Sequence, residues 1–140
     1  MHSPLLIHVD MVTKSIEDSI DYYSTYFKYK VVEDCIVSGK AALFLSNNTA
    51  DRMRLVFLKL NSRSPMIELI QFIDSNGEYI DKIDYRLQLN VSLSYLVSDI
   101  SETINIMKNQ GLNPASEIYD ISLEKLGKAQ IVYFRDPIII

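Results

Sequence analysis

The stretch HVDMVTKSIEDSIDYY, residues 8–23, changes its period partway along, and that change decides the fold. Up to Val12 it continues the alternation of Leu5-Leu6-Ile7, as a half-buried strand does. From Ile16 the apolar residues Ile16, Ile20, Tyr23 and Phe27 recur at spacings of four, three and four, which is one face of a helix. Ser15 stands just before that run with Asp18 three residues on, a short form of the pattern in which a side-chain oxygen accepts from a free backbone N–H. The stretch therefore predicts a strand feeding a capped amphipathic helix.

Residues 92–107, SLSYLVSDISETINIM, repeat it. Adding 84 carries Ser15 to Asp99, Ile16 to Ile100, Asp18 to Glu102 and Ile20 to Ile104, so cap, acid and apolar stripe all survive. Gly111 suits the left-handed residue that closes a helix, and Pro114 prevents its continuation. Between the copies, KVVEDCIV, MRLVFLKL and MIELIQF are rich in β-branched and large apolar residues and are separated by the polar breaks NNTAD and NSRSP. Three strands are expected there, with SGKAALFLS a short helix or a strand. Residues 73–90 form a polar connection, after which ASEIYDI and AQIVYF are two further strands and the chain end leaves room for a stub.

The 140 residues, 48% of them hydrophobic, suffice for one core, so a single domain over 1–140 is expected, with one module at about 5–73 and a second at about 88–140. The formal charge of -4, with no run of lysine and arginine, argues against a nucleic-acid partner. No apolar segment approaches the roughly 18 residues that span a bilayer, so no membrane partner is expected. The lone Cys35 and the absence of a basic, apolar leader point to a cytoplasmic protein with a reduced, structural thiol.

The order of these elements and their local sequences resemble the vicinal oxygen chelate superfamily, which includes glyoxalase I, methylmalonyl-coenzyme A epimerase, extradiol dioxygenases, fosfomycin-modifying enzymes and bleomycin-binding resistance proteins. The resemblance is carried by His8-Val9-Asp10-Met11-Val12, by Tyr23 to Val32 with Lys28 where glycine is usual, by Ile67-Glu68-Leu69, and by Ile131-Val132-Tyr133-Phe134-Arg135-Asp136-Pro137. It implies an α+β fold in which two βαβββ modules form a curved, cup-shaped sheet with helices on the convex side. In metal-dependent members four strands each give one ligand to a divalent cation, which chelates neighbouring oxygens of the substrate. The resemblance places His8 at the first ligand and Glu68 at the second, puts Ser92 where the third is usually histidine, and leaves no counterpart for the fourth. A weakly held divalent metal ion is the cofactor this implies.

Asp10 lies two residues after His8, hence on the same side of the strand, and is the best substitute ligand. Glu68 interrupts an apolar strand, and a carboxylate facing an enclosed cup is costly unless paired, protonated or used. An ion pair with Arg54 on the preceding strand is the purely structural explanation, as a hydrogen-bonded core histidine is for His8. Tyr22, Tyr23 and Tyr26 are expected in core and interface. Three functions are compatible with this pattern. The first is a lyase or isomerase of the glyoxalase or epimerase type, in which Glu68 exchanges a proton beside a carbonyl, His8 polarises the oxygen, and Asp10, Ser92 and Ser94 contact the substrate. The second is a metal-free small-molecule-binding or antibiotic-sequestering protein, and the third is a scaffold whose cup is filled by its own side chains. Half-open sheets leave edges and apolar helix faces, so a homodimer is also expected.

Overall fold

The computed structural model describes residues 4–80 and 91–134. The order is β1 (Leu5–Val12), α1 (Ile16–Phe27), β2 (Lys30–Ser38), α2 (Lys40–Leu45), β3 (Arg52–Lys59), β4 (Met66–Phe72), β5 (Val91–Leu96), α3 (Ile100–Asn109), β6 (Tyr119–Leu123) and β7 (Gly127–Ile131). SGKAALFLS thus contains the short helix α2, and the final strand stub falls in residues 135–140, outside the described residues. The chain divides into two compact units, one of Leu6–Tyr95 and one containing α3, β6 and β7.

In the first unit five strands make one curved sheet in the order β2-β3-β4-β1-β5. β2, β3 and β4 run antiparallel as consecutive neighbours, whereas β1 lies parallel to β4, with His8 beside Met66 and Asp10 beside Glu68. That crossover needs a connection, and α1 supplies its first part. Side chains alternate across each strand, and the two faces separate cleanly. One face carries Met11, Val56, Leu58, Ile67 and Leu69 against Ile16, Ile20 and Tyr23 of α1. Buried Gln71 fixes where the helix starts: its Oε1 accepts from Ile16 N at 3.1 Å and its Nε2 donates to Lys14 O at 2.6 Å.

Phe27 ends the stripe read from the sequence but is half exposed, its ring edge-on to Tyr22 and tilted against Tyr23. The helix closes at Lys28, which takes the left-handed conformation at φ 64° and donates from Nζ to Thr25 O at 3.0 Å. Glycine usually occupies such a residue because it has no Cβ to collide with the carbonyl.

α1 and α3 share their entry geometry. Ser15 and Asp99 both cap in extended backbone, at φ -148° and -145°, and accept from the N–H groups of Asp18 and Glu102. Thus Ile16 and Ile100 are each the first residue of their helix, 84 positions apart. In the second unit Gly111 follows the helix at φ 88°, and β6 and β7 pair as a separate two-stranded ladder among the described residues.

Candidate metal and proton-transfer site

The face of the sheet opposite α1 carries His8, Asp10 and Glu68. Asp10 and Glu68 are register partners across β1 and β4, and Glu68 is in turn the partner of Phe57 on β3. His8 stands one step along β1 on the same face, its ring edge-on to Phe57 at 5.5 Å between centroids. Its Nδ1 bonds Asp10 Oδ1 and lies 3.3 Å from Glu68 Oε2. One ligand atom from each of the three lies within 4.8 Å of the others, and this is a possible metal-holding group among the described residues. Their side chains keep 17%, 11% and 10% exposure.

β5 completes the surroundings of Asp10. Ser92 Oγ donates to Asp10 Oδ2 at 2.6 Å and Ser94 Oγ donates to the same oxygen at 3.0 Å. The residues named from the sequence, His8, Asp10, Glu68, Ser92 and Ser94, are therefore brought together. The ion pair with Arg54, the structural alternative for Glu68, is not formed. Arg54 faces α1, where Nε and Nη2 grip Asp34 at 2.9 and 2.7 Å and Nη1 reaches Glu17 at 2.5 Å. Strand parity explains why, since Arg54 is three residues from Phe57, the partner of Glu68, and so points to the other side.

Two carboxylates side by side, both buried, cannot both be comfortably ionised. Burial pushes Glu68 well above the usual carboxylate range, and its hydrogen bond to Asp10 and the charge of Asp10 push the same way. Burial also acts to raise Asp10, but hydrogen bonds from His8, Glu68 and Ser92 and attraction to His8 together outweigh it and leave Asp10 below its ordinary value. Asp10 is therefore the ionised member and Glu68 the member that keeps a proton. Pairs of acids split in this way define donor and acceptor in proton-transfer sites.

The donor set also fits a divalent cation. One imidazole nitrogen and two carboxylates match the three protein ligands usual in catalytic transition-metal sites, and a cation would answer the excess negative charge that a shared proton now answers. Cys35 is no competitor for the chemistry: burial and the charges of Glu33, Asp34 and Glu68 push its thiol up to about 11. At neutral pH it remains an unreactive thiol. Two open surface concavities lie elsewhere, one of about 500 Å³ along β6 and β7 and one beside the start of α1. Neither gathers the chemistry found around His8, and side-chain convergence weighs more than the volume of an open groove.

Residues 7–125 match the sequence pattern of the Glyoxalase/Bleomycin resistance protein/Dioxygenase superfamily, and the chain belongs to that family. No curated protein matches it. Among solved structures it is similar to a hypothetical protein from Bacillus halodurans, at 16% identity and a TM-score of 0.63, covering 96% of this chain and 86% of that one. It is also similar to methylmalonyl-CoA epimerase from Mycobacterium tuberculosis, at 14% identity and a TM-score of 0.59, covering 91% and 77%. A mutant of 4-hydroxymandelate synthase from Streptomyces coelicolor gives 14% identity and a TM-score of 0.64 over 94% of this chain and 44% of that one. These likenesses show the vicinal oxygen chelate fold. No helix among the described residues is long and apolar enough to cross a membrane.

Proposed function

We propose that the chain is a small-molecule enzyme of the glyoxalase or epimerase type, which moves a proton next to a substrate carbonyl and works with a divalent cation held by His8, Asp10 and Glu68. The observation that carries this reading is the convergence of one imidazole and two buried carboxylates, His8, Asp10 and Glu68, within 4.8 Å of one another, where burial beside Asp10 raises Glu68 above the usual carboxylate range. Asp10 holds the imidazole of His8 in place, and Phe57 walls the ring on its other side. A bound cation would supply Lewis-acid polarisation of the carbonyl oxygen. Glu68 then exchanges the proton on the neighbouring carbon, while the apolar residues Leu55 and Phe57 on the same face keep water from competing. With three protein ligands instead of four, the cation is weakly held and stripped by chelator.

The test is solvent exchange. Protein loaded with Mn²⁺ or Co²⁺ is incubated in D₂O with a panel of 2-oxo acids, 1,3-dicarbonyls and acyl thioesters, and deuterium incorporation next to the carbonyl is followed by NMR. The parent exchanges at least one compound, and Glu68→Gln loses about 10²–10⁴ in rate. A second reading, a metal-free binding protein, is favoured by Ser92 standing where the family's third ligand is usual. It predicts ligand binding without exchange in either variant. A homodimer belongs to the same proposal, supported by β2 and β5 ending the sheet among the described residues and by half-exposed Tyr22 and strongly exposed Tyr26. A monomer in sedimentation at high concentration would count against it.

A further inference from the structure

We infer that Ser92 and Ser94 are positioning residues for the cation site: together they reserve one oxygen of Asp10, so that β5 serves the site by orienting a ligand instead of supplying one. The inference rests on the reading of His8, Asp10 and Glu68 as the cation-binding set. Asp10 has two oxygens with separate duties. Oδ1 faces His8 Nδ1, and Oδ2 takes both serine hydroxyls, at 2.6 and 3.0 Å. Ser92 and Ser94 are two residues apart on one strand and so share a face, and each has a single O–H proton to give. Both protons go to the same atom.

The 84-residue repeat makes this arrangement reciprocal. Ser92 is the counterpart of His8 and Ser94 the counterpart of Asp10, so the second copy of the motif is turned on the first. Replacing potential ligands by neutral hydroxyls leaves the negative charge of Asp10 intact and converts the loss of a ligand into restraint of another. An oxygen already accepting two O–H bonds has little electron density left for a metal, so Asp10 binds through Oδ1 alone. One nitrogen and single oxygens from two carboxylates suit Zn²⁺, Mn²⁺, Co²⁺ or Ni²⁺. Ca²⁺, which takes six to eight oxygens, often from bidentate carboxylates, is left underserved.

The experiment titrates the full chain, freed of metal by chelator, with Co²⁺ and Ca²⁺ by calorimetry, and follows the visible spectrum of the cobalt form. The parent is expected to bind one Co²⁺ and to bind Ca²⁺ far more weakly. Ser92→Ala combined with Ser94→Ala is expected to lower Co²⁺ affinity by about 10–100-fold, the usual scale for groups that orient a ligand, and to change the cobalt spectrum. Ser92→Thr with Ser94→Thr keeps the hydroxyls and is expected to hold both affinity and spectrum near the parent. Unchanged affinity and spectrum in the double alanine variant overturn the inference while leaving the cation set standing. Ca²⁺ bound as tightly as Co²⁺ overturns it too. A parent that binds no Co²⁺, Zn²⁺ or Mn²⁺ overturns the cation reading itself and the inference with it. Should the double alanine variant fail to fold, Ser94→Ala, which removes the longer bond, must show a smaller drop in the same direction, and no drop overturns the inference.

Discussion

Two polar clusters sit back to back on the same sheet. On the α1 side Arg54 joins Asp34 and Glu17, and on the other side His8 joins Asp10 and Glu68. Each has one basic group between two acids, so charge counting does not distinguish them. Water does. The acids around Arg54 are 42% and 73% exposed, and solvent answers their surplus charge. Asp10 and Glu68 are 11% and 10% exposed, so theirs must be answered by a proton or a cation. What turns an ordinary triad of charges into a candidate site is the removal of water from around an unbalanced set.

The contrast is open to direct attack. Asp10→Ala should have the largest effect on stability, because it strips His8, Ser92 and Ser94 of their common acceptor. The cation-free protein is expected to lose about 2–3 kcal/mol, the scale for leaving buried donors unpaired, read by urea denaturation. A loss below the experimental scatter would mean that water reaches the site freely, and the distinction between the clusters would fall.

Next comes pH. Glu68 binds its proton more tightly folded than unfolded, so its contribution is fully present below its ordinary value of 4.5 and is lost as pH rises toward the raised folded value. Asp10 acts oppositely, and its contribution is lost as pH falls below its ordinary value of 3.8. Stability of the chelated protein should therefore decline above about pH 4.5, by at most about 1.4 kcal/mol per pH unit. Glu68→Gln should flatten that decline. Melts recorded from pH 4 to 9 on both proteins decide, and parallel curves would show that Glu68 ionises like a surface acid. The smallest effect belongs to the other cluster: Arg54→Met should cost about 1 kcal/mol, shrinking in 1 M salt as screened surface pairs do.

Much of this was legible in the chain. Period and capping located α1 and α3 because those signals are local, written within four residues of where they act. Asp10 could be placed beside His8 because alternation along one strand is also local. The partner of Glu68 could not, since choosing between Arg54 and His8 requires the register of β3 on β4 and of β1 on β4, which no short stretch encodes. The same holds for Ser92 and Ser94. Read from the sequence they are substrate contacts, and that their hydroxyls also donate to Asp10 depends on a bond between strands whose adjacency is set by the whole sheet. Gln71, which holds the start of α1, gave no local sign at all.

The place of β1 between β4 and β5 matters for how the protein is made. Its residues leave the ribosome before those of either neighbour, and the bond from Ser92 to Asp10 closes a separation of 82 residues. β2, β3 and β4 can zip up as successive antiparallel neighbours, while β1 must wait and then pair across long loops, a slow class of event. A nascent chain halted short of Ser92 would carry Asp10 without its serine partners, so the surroundings of this site are complete only once β5 has been made.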